Sequence, residues 1–167
     1  AAARLVLEQV LEQRHPFKSE CLRRFGLSEL DLLTYRKEIR QALAAIIVEG
    51  RGGSSYQLRG GAVSYLGALG FAEEEKLIAG LAGSSTEPIS VRIAAIGSLA
   101  RLGTPEAVPT IRKALTDSNA VLRSAAIKAL ARIGTPEDGE LLAALGKRDE
   151  IIGIRRLAIK AARKLLP

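Results

Sequence analysis

A segment of about thirty residues recurs along the second half of this sequence. The stretch VRIAAIGSLARLGTPE, which begins at Val91, returns as LRSAAIKALARIGTPE from Leu122, and a third copy starts at Ile154. Weaker similarity precedes these copies, in residues 62–70. A unit of this length cannot bury its own apolar face, so it gains a core only by stacking against its neighbours. The repetition therefore predicts a short α-solenoid over residues 61–167.

Each copy is predicted to fold as two antiparallel helices. Val91, Ala95 and Leu99 recur at the spacing of one helical face, and Gly103 is suited to end that helix in a left-handed conformation. Residues 104–106 (Thr-Pro-Glu) then resemble the start of the next helix, and residues 135–137 repeat them. The small residues Ala95 and Ala126 allow neighbouring backbones to approach closely, so we expect both to be buried.

The composition agrees with an all-α protein. Apolar residues make up 47% of the 167 residues and aromatic residues only 4%, so the core must consist of Ala, Leu, Ile and Val. The net charge of +7 permits anionic partners. Cys21 is the only cysteine, which excludes an intrachain disulfide and favours a reducing, cytoplasmic location. No apolar run approaches the length of a membrane helix, and no signal peptide is recognisable.

The repeat resembles the HEAT-like repeats of the phycobilisome-lyase type. The residues that match its signature in one copy are Val91, Arg92, Ala94, Ala95, Leu99 and Gly103, and those in the next are Leu122, Arg123, Ala125, Ala126, Leu130 and Gly134. Asp117 and Asp149 each precede a repeat arginine by six residues, as an inter-repeat Asp does in that family. The preceding copy departs from this pattern, with Thr86 at that place and Glu87 beside it. The resemblance implies a HEAT-like architecture, while the functions of the family range from scaffolds to bilin lyases.

Arg92, Arg123 and Arg155 occupy equivalent positions in successive copies. One interpretation is a structural ladder in which each arginine bonds the preceding Asp (Asp117 or Asp149) or a loop carbonyl. The other is a basic row for an anionic partner. The repeats contain too few aromatic residues for a pocket that handles nucleobases.

The first sixty residues resemble a winged helix. Helical segments are followed by a long apolar-periodic stretch that reaches Val48, a glycine-rich turn, and an alternation over residues 55–58 that is typical of a short strand. The resemblance implies a recognition helix and a wing that contact an anion or nucleic acid through Arg36, Lys37, Arg40, Gln41 and Arg51. The long helix exceeds the length expected for such a module. The alternative is a helical cap on the first repeat.

The sequence offers no catalytic or metal-binding constellation. His15 is the only histidine and is separated from Cys21 by a helix start, so the two do not suggest a nucleophile and base. A zinc site needs about four N or S ligands. The acidic run at residues 73–75 suits a helix N-terminus. We therefore predict no catalytic residue, no metal and no cofactor.

The last predicted helix has an apolar side for which the sequence supplies no second helix. Its apolar residues at helical spacing include Ile154, Leu157, Ala161 and Leu165. Exposed apolar surface at the end of a solenoid favours association. We expect this C-terminal edge to contact another protein surface, which is further sequence of the same protein, a twofold-related copy or a partner.

These observations predict two parts, an N-terminal module (1–60) and HEAT-like repeats (61–167). The function they favour is a non-catalytic scaffold or adaptor that binds a protein. The alternatives are a nucleic-acid-binding regulator that uses the N-terminal module, and a bilin-lyase-like or phycobilisome-associated protein. The identity of the partner is not encoded in any recognisable motif.

Overall fold

The computed structural model describes residues 36–50 and 56–166, and every regular element among them is helical. The first helix, α1, spans Arg36–Glu49. The others are α2 (Tyr56–Ala68), α3 (Glu75–Gly83), α4 (Ile89–Leu102), α5 (Ala107–Ala114), α6 (Ala120–Ile133), α7 (Pro136–Arg148) and α8 (Ile152–Leu165), with one 3-10 turn at Ala72–Glu74 before α3. This is the predicted all-α solenoid.

Helices α2, α4, α6 and α8 are the first helices of four successive repeats, and we call them the A-helices. Each A-helix packs against the next one, so the four form a continuous layer. The second helices, α3, α5 and α7, pack mainly against the A-helix that follows them in the chain. Stacking of this kind gives every repeat the apolar neighbour that it cannot supply itself.

Small residues set the close spacing of the A-helix layer. Ala95 and Ala126 are fully buried, as predicted, and Ala158 takes the same position in α8. Between α2 and α4 the approach is closer still, because a Cβ added to Gly67 would lie 2.6 Å from the Cα of Ser98. The Ser98 hydroxyl donates to the main-chain oxygen of Val63 at 2.8 Å, which satisfies this buried polar group inside the interface.

The turns between paired helices differ from one copy to the next. Gly103 adopts a φ of 67° and ends α4 as predicted. Thr135 and Pro136 begin α7 as predicted, and the Asp138 carboxylate accepts a hydrogen bond from the Thr135 N–H at 2.9 Å. The same prediction is wrong for Thr104, because α5 begins only at Ala107. The residue three positions after Thr104 is an alanine, which has no carboxylate with which to close such a cap.

The predicted strand over residues 55–58 is also wrong for its described part, because Tyr56–Leu58 forms the first turn of α2. The apolar residues Leu58, Ala62 and Leu66 recur every four residues, and this helical spacing outweighs a short alternation. A division of the chain near residue 60 stays a prediction, and α2 runs through that position. Helix α1 packs against α2.

Candidate functional site

A ladder of ion pairs runs along the repeats and involves the fourth residue of each of the first three A-helices. Each guanidinium pairs with a carboxylate that lies 25 to 28 residues later, in or beside the loop before an A-helix. We call this set the arginine–carboxylate ladder. Its pairs are Arg59–Glu87 at 2.7 and 2.8 Å, Arg92–Asp117 at 2.6 Å and Arg123–Asp149 at 2.8 and 3.1 Å.

The arginines at the fourth position of the A-helices also donate to main-chain oxygens of earlier segments. Arg123 donates to the oxygen of Asp117 at 2.9 Å, and Arg155 donates to the oxygen of Asp149 at 2.9 Å. Both bonds reach the residue six positions earlier, where the sequence predicted an Asp or a carbonyl partner. The carbonyl is the acceptor, whereas the carboxylate of that Asp serves the arginine of the preceding repeat. Each Asp therefore connects two successive arginines.

Buried charge in the ladder is compensated by hydrogen bonds from several directions. Burial alone would raise the pKa of Asp149, but the Arg123 guanidinium and the N–H of Ile151 (2.9 Å) outweigh it, so the pKa lies below its ordinary value. Asp117 behaves in the same way, because the N–H of Asn119 and the Arg92 guanidinium overcome the effect of burial on its pKa. Both carboxylates therefore stay ionised at neutral pH.

The first pair of the ladder was missed by the sequence analysis. Arg59 is among the largest fully buried side chains, and its Nε donates to the main-chain oxygen of Ile47 at 2.8 Å. Through this bond and its ion pair with Glu87, the Arg59 side chain connects α1 to the loop before α4. The sequence does contain one sign of this pair. Glu87 lies one residue after the position that holds Asp in the next copies, and the ion pair forms in spite of this shift.

A further ion pair, also missed, joins the second helices. Arg112 in α5 donates to both carboxylate oxygens of Asp138 in α7, at 2.5 and 3.1 Å. Asp138 is fully buried, and although burial raises its pKa, the bonds from Arg112 and from the Thr135 N–H lower it below the ordinary value. The same carboxylate thus starts α7 and holds it against α5.

The basic residues predicted for anion contact in α1 are largely engaged within the protein. Arg36 lies over the Phe71 ring at 4.4 Å and donates to the main-chain oxygens of Leu69 and Gly70. Arg40 forms an ion pair with Glu74. Lys37 and Gln41 are exposed, while Arg51 lies outside the described residues, as do His15 and Cys21. The two arginines therefore attach α1 to the turn that follows α2.

A row of exposed apolar side chains marks the beginnings of the A-helices. Each member lies two or three residues before the arginine that occupies the fourth position of its helix. The row consists of Tyr56, Ile89, Val121 and Ile152, whose exposed fractions are 40%, 37%, 60% and 56%. We call it the apolar row. The row is not recognisable in the sequence, because its residues continue the apolar pattern of the helices and only their exposure distinguishes them.

The repeat geometry agrees with the comparison with known families. The family of HEAT repeats matches residues 74–163 of this sequence, which is more than half of the chain. The chain belongs to the HEAT-repeat family. The match is to HEAT repeats as a whole and does not single out the phycobilisome-lyase type. No curated protein and no solved structure matches the chain.

The last A-helix of this HEAT array distributes its apolar residues over two contacts, because α8 packs against both α6 and α7. Ile154 and Ala161 are buried, and Leu157 and Leu165 are partly buried against the core. The exposed apolar side chains of α8 are instead Ile152 and Ile159. The four predicted edge residues therefore hold the helix in the array.

Among residues 36–50 and 56–166, no group of three or more His, Cys, Asp or Glu side chains is placed to hold a metal ion. Within the same residues, no helix combines the length and the apolar character needed to cross a bilayer.

Proposed function

We propose that this HEAT-repeat protein is a non-catalytic scaffold or adaptor that binds another protein. The apolar row is the observation that carries the proposal. The described residues include eight large hydrophobic side chains that are exposed, and four of them stand at nearly equivalent positions of consecutive repeats. Isolated exposed apolar residues are normal on a protein surface, whereas an aligned set of them is typical of an interaction site.

The spacing of the row suits a polypeptide partner. Packed helices lie about 8–10 Å apart, so four consecutive A-helices carry the row across about 25–30 Å. Three residues of an extended chain cover about 9 Å, so apolar residues at every third position of such a segment would meet successive members of the row. Aliphatic side chains gain free energy when they are covered by other apolar groups, and they offer nothing to a phosphate backbone.

The ladder supports this proposal by holding the row in place. Each ladder arginine is fixed by a carboxylate and by a main-chain oxygen, and it lies within one helical turn of a row member. A rigid surface loses little conformational entropy on binding, which favours affinity. The Arg59 and Arg123 side chains are buried, so their structural role leaves the neighbouring apolar side chains as the accessible groups.

The test is affinity capture from an extract of the native host. The wild type is compared with a triple variant of the apolar row and with a double control variant. The row variant combines Ile89→Asn, Val121→Asn and Ile152→Asn. The control combines Val48→Asn and Leu141→Asn, which are also exposed apolar residues but lie outside the row. We expect at least one protein to bind the wild type and the control variant but not the row variant. The same protein, once purified, should show the same difference in binding to the three forms. Equal retention of every captured protein by all three forms would contradict the proposal.

A further inference from the structure

The apolar row lies on the same side of the A-helices as a set of exposed cations. Residues three or four positions apart share a helical face, and on α4 steps of four lead from Ile89 through Ile93 and Gly97 to Arg101. This face of α4 therefore begins with an exposed apolar side chain and ends with an exposed guanidinium. With a rise of about 1.5 Å per residue, the two are separated by about 18 Å along the helix.

Helix α6 repeats this arrangement beside α4. Steps of three or four lead from Val121 through Ala125 and Lys128 to Arg132. Arg132 and Arg101 are equivalent, because each lies nine residues after the ladder arginine of its own helix. Lys128 and Arg132 are exposed although α6 has an A-helix on either side, so the stacking of repeats does not cover this face. We call Arg101, Lys128 and Arg132 the basic margin.

Helix dipoles do not account for this distribution of charge. Cations in the last turn of a helix stabilise its dipole, and acids in the first turn do the same. The four A-helices contain no Asp or Glu, whereas α3 and α7 have acidic residues in their first turns. Lys128 lies before the last turn of α6. Within residues 36–50 and 56–166, no carboxylate forms an ion pair with the basic margin, so its charge is accessible to a ligand.

The surface of α4 and α6 between the apolar row and the basic margin is low. Apart from Ile93, it consists of half-buried residues with small side chains, which are Ala94, Gly97, Ser124 and Ala125. A Cβ added to Gly97 would lie 3.7 Å from Nη1 of Arg101, so this guanidinium extends back over the low surface. We call the apolar row, the basic margin and the small residues between them the A-helix face. A polypeptide backbone lying along its middle would have apolar side chains on one side and cations on the other.

We propose that the A-helix face binds an extended acidic segment of the partner protein, whose apolar side chains contact the apolar row and whose carboxylates pair with the basic margin. The inference rests on the proposed scaffold function and specifies the chemistry of the partner. A polyproline II chain repeats its side-chain directions every three residues and advances about 9 Å in that interval. Packed helices are spaced by about the same distance, 8–10 Å. A segment with one apolar and one acidic residue in each triplet would therefore make the same two contacts on α4 and on α6.

Two other occupants fit these observations less well. A nucleic acid would neutralise the basic margin but would leave the apolar row uncovered, because aliphatic side chains offer nothing to a phosphate backbone. A second copy that presented the same face would bring like charges together. An acidic polypeptide with apolar side chains satisfies both sides of the A-helix face at once.

Fluorescence anisotropy with three labelled ligands tests the proposal. The first ligand is a peptide made of Leu-Glu-Pro triplets, the second is the same peptide with Gln in place of every Glu, and the third is a DNA duplex. The margin variant combines Arg101→Gln, Lys128→Gln and Arg132→Gln. The control variant removes the same charge from exposed positions of the second helices, and it combines Lys76→Gln, Lys113→Gln and Lys147→Gln.

We expect the Glu peptide to bind the wild type and the control variant equally, and the margin variant about tenfold more weakly, because several exposed ion pairs are lost together. The row variant, with Ile89, Val121 and Ile152 changed to Asn, should also bind it more weakly. The proposal would be overturned by equal binding of the Glu and Gln peptides, by unaffected binding in the margin variant or the row variant, by tighter margin-dependent binding of the duplex, or by no binding of the Glu peptide at about 1 mM.

Affinity capture with the same variants separates this inference from the proposed function. A captured partner that is lost by the row variant but retained by the margin variant would leave the scaffold function standing and would overturn the acidic segment. A partner that is lost by both variants and retained by the control variant would support both proposals. Absence of any row-dependent partner would contradict the scaffold function and, with it, this inference.

Discussion

Arg123 and Asp149 form a buried two-bond ion pair, with Nε–Oδ2 and Nη2–Oδ1 distances of 2.8 and 3.1 Å. Both side chains are less than a tenth exposed. Arg123→Leu would leave the carboxylate buried without its cation, which typically costs about 3–5 kcal/mol. We therefore expect a loss of this size in urea unfolding.

Two further variants serve as controls for this measurement. Arg101→Gln removes an exposed guanidinium of α4 and should change the free energy of unfolding by less than about 0.5 kcal/mol. Combining Arg123→Leu with Asp149→Asn should recover part of the loss, because the uncompensated charge is gone. Identical stability of the wild type and the Arg123→Leu variant would contradict the structural role of this pair.

Acid should destabilise the array through the ladder carboxylates. Asp117 and Asp149 have folded-state pKa values below the ordinary 3.8. A lowered pKa in the folded state contributes stability that is complete above the unfolded-state pKa and is lost as the pH falls through the folded-state pKa. The free energy of unfolding should thus decline from about pH 4 downwards, and Asp149→Asn should make this decline less steep. A decline of unchanged steepness in the variant would exclude Asp149 as a contributor.

Two glycine substitutions should have opposite effects. Gly67→Ala would place a methyl group 2.6 Å from the Ser98 backbone, and the resulting separation of α2 and α4 should cost about 1–3 kcal/mol. Gly80→Ala in α3 meets no atom within 4 Å and should stabilise the helix by about 0.4–1 kcal/mol. Thermal unfolding of the two variants checks both signs. Equal melting temperatures would be inconsistent with the close A-helix contact.

Helix α1 should detach more easily once its polar contacts with the turn after α2 are removed. Arg36→Ala and Arg40→Ala together delete the ring contact with Phe71 and the ion pair with Glu74. We expect faster hydrogen exchange at the amides of Leu43, Ile46 and Ile47, with unchanged exchange in α6. The matched control is Lys37→Ala with Gln41→Ala, which alters exposed residues of the same helix. Equal exchange in both double variants would show that apolar packing alone attaches α1.

The removal of an N-cap should weaken α6. The Asn119 side-chain oxygen accepts hydrogen bonds from the amides of Val121 and Leu122 at 2.9 and 3.3 Å. Asn119→Ala leaves these amides without that acceptor and should cost about 1 kcal/mol, whereas Asn119→Asp keeps an acceptor and should be nearly neutral. Chemical denaturation distinguishes the two, and a neutral alanine variant would exclude a stabilising cap.

Local spacing was sufficient to predict the repeat architecture and the burial of Ala95 and Ala126, because a recurring helical face needs no long-range information. It was insufficient for the partners of the arginines. The six-residue spacing of Asp117 and Arg123 is visible in the sequence, but the carboxylate of Asp117 turns to Arg92, 25 residues away. Which of the two arginines receives the carboxylate depends on the offset between stacked helices, and a one-dimensional pattern does not contain it.

The apolar row was not predicted for a related reason. Ile152 and Ile154 are both apolar and two residues apart, yet one is 56% exposed and the other 7%. Residues two apart in a helix lie on opposite sides, and the packing of α8 against α6 and α7 decides which side is buried. Exposure of this kind becomes known only when the packing is known.

The uneven placement of charge also has a kinetic consequence. Basic residues increase from α2 to α8 while the A-helices carry no acids, so within the A-helix layer the positive charge is concentrated towards α8. Such an asymmetry acts at a distance, before any contact forms, and it orients an approaching polyanion during diffusion. The association rate with an acidic partner should therefore fall steeply as added salt screens the field, while the dissociation rate changes little.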